Sequence, residues 1–165
     1  MTIELNTDFI AHQAEVLEKE NLRFCAFLKG HTSEEIDRKV HVLNQEVSGL
    51  IDCTACANCC KKATPCLSER DVERLAAACK TDVSEVKDRY TVVEQEERIW
   101  KSQPCAFLTE NKCGVYELRP DDCRSYPHLH KKDFIHRLWM TLENYAVCPI
   151  VYNVFERLKV ATGFK

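Results

Sequence analysis

Hydrophobic residues recur along the first fifty positions at the spacing of two amphipathic helices. The first stripe occupies one helical face and ends before Gly30; its positions are Ile10, Ala14, Leu17, Asn21, Phe24 and Leu28. Thr32 begins a second helix, with Glu35 three residues on as the other half of a capping box. The second stripe consists of Ile36, Val40, Leu43, Val47 and Leu50. The short connection between the two helices predicts an antiparallel helical hairpin over residues 1–50.

The remainder of the chain mixes short helical patterns with β-like segments. Ser68 and Asp71 form a second capping box at the start of a helix. The polar residues 109–112 separate two short apolar runs and predict a β-hairpin. Residues 134–140 have the pattern of a strand, and Pro149 is placed to begin the last helix.

Length and composition fit one folded domain. The chain has 165 residues, of which 45% are hydrophobic and 30% are charged, as in ordinary globular proteins. We therefore predict a mainly helical α+β fold in a single domain. The N-terminal hairpin, residues 1–50, is expected to pack against a metal-stapled, cysteine-rich core, residues 51–165, that contains a small β-hairpin.

Charge and hydropathy argue against nucleic acid and membrane as partners. The net charge is −3, which gives no general attraction to polyanions. No stretch reaches the length of a membrane-spanning helix, and the first residues lack the basic start of a secretory signal. We expect a cytoplasmic protein with a protein partner; its oligomeric state stays open.

Eleven cysteines are the unusual feature of the composition. Disulfides are rare in a reducing cytosol, and an odd number of cysteines cannot all pair within one chain. Metal coordination is the leading explanation for most of them. Cys25 and Cys79 lie in helical patterns and are interpreted as buried hydrophobic residues, and Cys66 is interpreted as a packing residue.

The central motif is the run from Cys53 to Cys60, in which two-residue spacers allow a tight loop to aim several thiolates at one centre. A second group of cysteines follows later in the chain. Together they give eight candidate metal ligands: Cys53, Cys56, Cys59, Cys60, Cys105, Cys113, Cys123 and Cys148. Eight thiolates suit two four-coordinate centres or one cluster with spare thiols, and the spacing does not choose between these arrangements.

The arrangement resembles the CxxCxxCC cysteine-cluster family, also called the YkgJ-like or zinc/iron-chelating domain family. The resemblance covers roughly residues 50–150 and rests on the first motif, on two later blocks, Pro104–Leu108 and Cys113–Pro127, and on Cys148-Pro149. It implies metal chelation at the eight cysteines. Arg119 and Arg124 lie within the second block, where a cation would stabilise a negatively charged thiolate cluster. A salt bridge to a neighbouring carboxylate is the equally open alternative, with Glu117, Asp121 or Asp122 as the partner.

Three functions remain open from the sequence. The first is an iron–sulfur protein, with a 4Fe–4S cluster favoured, used for electron transfer, redox sensing or cluster handling. The second is a zinc protein in which the metal is structural and the helical hairpin binds a partner. The third is a metal-dependent protein-modifying enzyme similar to lysine N-methylases, although no glycine-rich nucleotide-binding loop supports it. The sequence identifies no catalytic residue, so whether the protein is an enzyme stays undecided.

Overall fold

A computed structural model describes residues 2–165 and divides them into two compact units. The helical unit comprises residues 2–52 and 127–165, and the cysteine unit comprises residues 53–126. In chain order the helices are α1 (Thr7–Val16), α2 (Glu18–Leu28), α3 (Ser33–Ser48), α4 (Cys53–Cys56), α5 (Asn58–Lys62), α6 (Glu69–Cys79), α7 (Val83–Tyr90), α8 (Asp121–Ser125), α9 (Leu138–Tyr145) and α10 (Pro149–Ala161). The strands are β1 (Thr91–Glu94), β2 (Glu97–Trp100), β3 (Leu108–Thr109) and β4 (Lys112–Cys113).

The prediction of a mainly helical α+β fold is confirmed, since the strands form only two short antiparallel hairpins. The proposed division at residues 50 and 51 stays a prediction. No helix among residues 2–165 combines the length and the apolar character that crossing a membrane would need.

The helical unit is built around α10. Helix α3 packs along it, and Phe24 of α2 meets Phe155 of α10 with ring centroids 5.0 Å apart. Lys159 is buried here, and its ammonium group lies 2.8 Å from the Glu20 carboxylate and 2.7 Å from that of Glu156. Buried charge of this kind needs such partners, so the C-terminal helix joins the N-terminal helices through both apolar and ionic contacts.

Two details of the predicted helices are wrong. The first helix is interrupted at Leu17, which leaves helical geometry with φ −95° and ψ 9°, although no glycine or proline accounts for the break. At the end of the second stripe, Leu50 is 64% exposed, because α3 has already ended at Ser48. In the rest of that stripe Ile36, Val40 and Val47 are fully buried, and Leu43 is half-buried.

The strand predicted over residues 134–140 is also wrong. Residues Phe134–His136 form a 3₁₀ turn, and α9 follows it. The buried Asp37 accepts backbone N–H groups from Asp133 at 2.7 Å and from Phe134 at 2.9 Å, and so it stabilises the start of that turn. A side chain from α3, distant in sequence, therefore sets the local structure here.

The cysteine unit has a small core of its own. Its buried members come from α6, α7 and the segments beside them: Leu67, Val72, Leu75, Ala76, Val86 and Trp100. Half-buried residues pack against this core, among them Cys105, Phe107 and Val115. The core therefore contacts the predicted ligand Cys105 directly, and it also contacts residues beside the hairpin that carries the ligand Cys113.

Both hairpins turn through two residues with positive φ, as a type I′ turn requires. The predicted hairpin is confirmed: Leu108 pairs with Cys113 across a turn at Glu110 (φ 50°) and Asn111 (φ 61°). The hairpin of β1 and β2 was not located from sequence, because its turn residues, Gln95 and Glu96, carry no hairpin signal.

Candidate metal centre

The first cysteine motif folds into two short helices, α4 and α5, that place its thiols in different surroundings. Ala57 lies between the helices in the left-handed region, with φ 50° and ψ 13°, where a residue with a side chain is uncommon. Cys53 is exposed, Cys56 is half-buried, and Cys59 lies beside Cys60. Ala57 thus separates α4, which carries Cys53 and Cys56, from α5, which carries Cys59 and Cys60.

Four thiols from three separate segments lie within electrostatic range of one another; they belong to Cys60, Cys105, Cys113 and Cys123. The Cys105 N–H donates to the Cys60 carbonyl at 2.8 Å, which joins the first motif to the second. Cys113 follows on β4, and Cys123 lies in α8. All four are half-buried.

Backbone N–H groups point at two of these sulfurs. Phe107 donates to Cys105, and Val115 donates to Cys113, in each case from two residues further along the chain. Such bonds favour the thiolate over the thiol and stabilise a metal-bound sulfur. Cys105, just before the β3–β4 hairpin, and Cys113, at its end, thus accept N–H groups in the same way.

Burial and mutual repulsion keep most of these thiols protonated. Burial raises the pKa of Cys123 to about 12, and the thiolates of Cys105, Cys60 and Cys113 add to the shift. Burial likewise raises the pKa values of Cys105 and Cys113. Cys60 differs, because the hydrogen bond from Cys59, with help from the Lys61 charge, lowers its pKa to about 7 against the effect of burial.

The two arginines of the second block have different roles. Burial raises the pKa of Cys113, and the charge of Arg119 offsets part of that rise, as expected of a cation beside a thiolate site. The Arg119 guanidinium stacks 3.8 Å above the Tyr116 ring centroid. Arg124 instead donates to the backbone carbonyls of Arg119 and Glu117. It therefore holds the loop before α8 together.

An ionic cluster surrounds the buried Asp71 and was not predicted from the sequence. Asp71, 2% exposed, accepts hydrogen bonds from Ser68 and from the N–H of Asp121 at the start of α8. Arg74 pairs with Asp71 and lies 2.7 Å from the Asp121 carboxylate. The sequence signalled only the local half of this cluster, the capping box of Ser68 and Asp71, which is confirmed.

Two further cysteines, Cys66 and Cys148, have surroundings of their own. Cys148 belongs to the helical unit, where it is buried and precedes Pro149 at the start of α10. Cys66 donates its thiol to Glu97 at 3.2 Å, and burial together with that carboxylate raises its pKa to about 11. Cys66 is nevertheless an exposed residue, so the predicted packing role is wrong.

As the side chains are placed, no three His, Cys, Asp or Glu residues within 2–165 form a group that would hold a metal ion. The chemistry of the four-thiol group nevertheless fits a thiophilic metal, because it combines half-buried sulfurs, N–H donors to two of them and a nearby cation. Ligation would replace the thiol protons, and the metal charge would offset the repulsion among the thiolates that form.

Comparison with known families agrees with this chemistry. The family model named CxxCxxCC, described as a "Putative zinc- or iron-chelating domain", matches residues 52–148. That span is more than half of the chain and contains all eight predicted ligand cysteines. No curated protein and no solved structure matches the chain.

Proposed function

Because the chain belongs to the CxxCxxCC family of zinc- or iron-chelating domains and is thus a metal-binding protein, we propose that its cysteines carry an iron–sulfur cluster. A 4Fe–4S cluster is favoured, for use in electron transfer, redox sensing or cluster handling. The observation that supports this most is the association of Cys60, Cys105, Cys113 and Cys123, drawn from three segments into one half-buried neighbourhood. Four cysteine thiolates are the usual ligand set of such a cluster.

The four-thiol group is proposed as the primary centre. Cys53, Cys56, Cys59 and Cys148 remain predicted ligands, either of a second centre or of a larger first one. Among these, Cys59 contacts the four-thiol group directly, because its thiol donates a hydrogen bond to the sulfur of Cys60. N–H donors to sulfur and the Arg119 charge would favour the reduced, more negative cluster and so raise its potential.

We propose a cytoplasmic location. Disulfides are rare in a reducing compartment, and metal coordination accounts for most of the eleven cysteines in this proposal. We propose that a protein partner exchanges electrons or metal with the centre. An enzymatic role in protein modification remains the weaker alternative, since no group in the described residues has been assigned to a reaction.

A zinc site is the second candidate, and the geometry of the hairpin gives it support. Two cysteines that accept backbone N–H groups, one before the β3–β4 hairpin and one at its end, suit a closed tetrahedral site of structural zinc together with two more from elsewhere. In that case the metal would hold the cysteine unit together, and the helical unit would be the place of partner binding.

Metal and acid-labile sulfide content, measured on protein purified without oxygen, decides between the two. Iron with an equal amount of sulfide supports the cluster, whereas zinc without sulfide under the same conditions refutes it. Cys123→Ser is the matched test variant and Cys25→Ser the control, because Cys25 is buried in the helical unit and lies outside the predicted ligand set. If both variants keep full metal content, Cys123 is not a ligand.

A further inference from the structure

We propose that Asp71 is a positioning residue of the metal centre, which sets the placement of Cys123 by capping α8 from a distant helix. This inference rests on the proposed function, in which Cys123 is a ligand. It assigns to Asp71 a role beyond its local capping box.

Helix α8 lacks a cap of its own. Its N-cap residue is Pro120, which offers no side-chain oxygen, and the helix has only five residues. The first N–H groups of a helix need acceptors, and without them so short a helix is unstable. Cys123 lies two residues after the start of α8, so the position of its sulfur depends on how that first turn is held.

Asp71 supplies the missing acceptor from fifty residues away. One of its oxygens accepts the Ser68 N–H at 2.8 Å and the Ser68 hydroxyl at 2.7 Å, which completes the capping box of α6. The other oxygen accepts the Asp121 N–H at 2.9 Å. A single carboxylate thus accepts N–H groups at the starts of both α6 and α8. Because Asp71 is only 2% exposed, water does not compete for these hydrogen bonds.

Neighbouring contacts restrain the same turn. Arg74 donates to the Arg119 carbonyl at 3.3 Å and to the Asp121 carboxylate at 2.7 Å. The Cys66 N–H donates to the Asp122 carboxylate at 3.1 Å. The segment that precedes Cys123 is therefore attached at several points to α6 and to Cys66, which lies three residues before α6. Asp71 is the buried member of this set.

The test compares Asp71→Asn with two controls. Asp37→Asn alters a buried carboxylate of the helical unit that, like Asp71, accepts backbone N–H groups from a segment distant in sequence. Val86→Ala removes a fully buried side chain from the core of the cysteine unit. Both controls lower stability without touching α8, so they report what destabilisation alone does.

Two measurements are made on each variant: Zn²⁺ affinity by competition with a chelator, and the alkylation rate of Cys123 in metal-free protein. We expect Asp71→Asn to weaken Zn²⁺ binding by about 10–100-fold, as loss of a residue that orients a ligand does. We also expect faster alkylation at Cys123, with the rate at Cys105 unchanged. Equal effects in the controls, or no change in either measurement, would overturn the proposal.

A pair of variants at Asp121 covers the case in which Asp71→Asn fails to fold. Asp121→Pro removes the donating N–H while keeping a residue that suits the first position of a helix, and Pro120 has the extended backbone that a following proline requires. Asp121→Ala removes the carboxylate but keeps the N–H. Selective loss of affinity and faster Cys123 alkylation in Asp121→Pro supports the proposal, and identical behaviour of the pair overturns it.

The alkylation measurement also separates this proposal from the proposed function. If the wild-type protein bound no Zn²⁺ and no iron, the metal centre would be refuted. Faster alkylation of Cys123 in Asp71→Asn would still establish the positioning of α8, and an unchanged rate would refute that as well.

Discussion

Metal binding should compensate for a cavity in the core of the cysteine unit. Leu75 is fully buried among α6, α7 and Trp100, so Leu75→Ala should lower the free energy of unfolding by about 2–5 kcal/mol. A ligand that binds only the folded state adds about 4.1 kcal/mol when its free concentration is 1,000 times its Kd. The two effects are of similar size, and Zn²⁺ should therefore restore most of the stability that the substitution removes.

Tryptophan fluorescence during urea unfolding can measure the stability of the cysteine unit separately from that of the helical unit. The chain has two tryptophans; Trp100 is buried in the core of the cysteine unit, and Trp139, in the helical unit, is 73% exposed. In a Trp139→Phe background the signal comes from Trp100 alone. Zn²⁺ is the suitable probe because it has no redox chemistry.

The outcome depends on the ligands, which provides the control. Zn²⁺ should raise the unfolding midpoint of Leu75→Ala but not that of Leu75→Ala combined with Cys123→Ser. If Zn²⁺ left the midpoint of the single variant unchanged, metal binding would not be coupled to folding of this unit. If it stabilised both variants equally, Cys123 would contribute nothing to the site.

Three further predictions concern single residues. Serine replacements test the ligand assignment by analysis of metal content. Cys56→Ser and Cys123→Ser should lose metal, whereas Cys25→Ser and Cys79→Ser should retain it. Burial would raise the pKa of the Asp71 carboxyl group, but hydrogen bonds from Ser68 and Asp121 and the Arg74 charge outweigh burial and lower that pKa. The stability that Asp71 contributes is therefore present at neutral pH. It is lost as pH falls below about 3.9, the pKa in the unfolded chain, toward the lower pKa of the folded state. Urea unfolding of metal-free protein should show the difference between wild type and Asp71→Asn shrinking over that range, and a constant difference would contradict it. Tyr145→Phe removes a 2.8 Å hydrogen bond to a glutamate and should cost about 1.5 kcal/mol in thermal unfolding with metal content unchanged.

Local patterns predicted the parts of the metal centre better than their assembly. The spacing of the cysteines identified Cys60, Cys105, Cys113 and Cys123 as ligand candidates, but it gave no reason to group these four apart from Cys53. That grouping depends on the Cys105 N–H bond to the Cys60 carbonyl and on the turn of the β3–β4 hairpin. Such contacts join residues that are distant in sequence, and no local period encodes them.

Asp71 illustrates the same limit of sequence-based prediction, since one of its hydrogen-bond partners was predicted and the other was not. Its bond to Ser68 spans three residues and follows a known sequence signature, so the capping box was predicted correctly. Its bond to Asp121 spans fifty residues and follows no signature. The strand predicted over residues 134–140 failed for a related reason, since Asp37 of α3 determines the turn there.

The protonation of the four thiols leads to a final prediction, that metal binding releases protons in a number that depends on pH. Cys105, Cys113 and Cys123 have raised pKa values and are protonated at neutral pH, whereas Cys60 has a pKa of about 7. Thiolates are the ligating form, so binding of Zn²⁺ by all four should release about four protons at pH 6 and about three at pH 8. Calorimetry in buffers with different ionisation enthalpies measures this number directly. Release of one proton or fewer at both pH values would mean that these thiols do not bind the metal together.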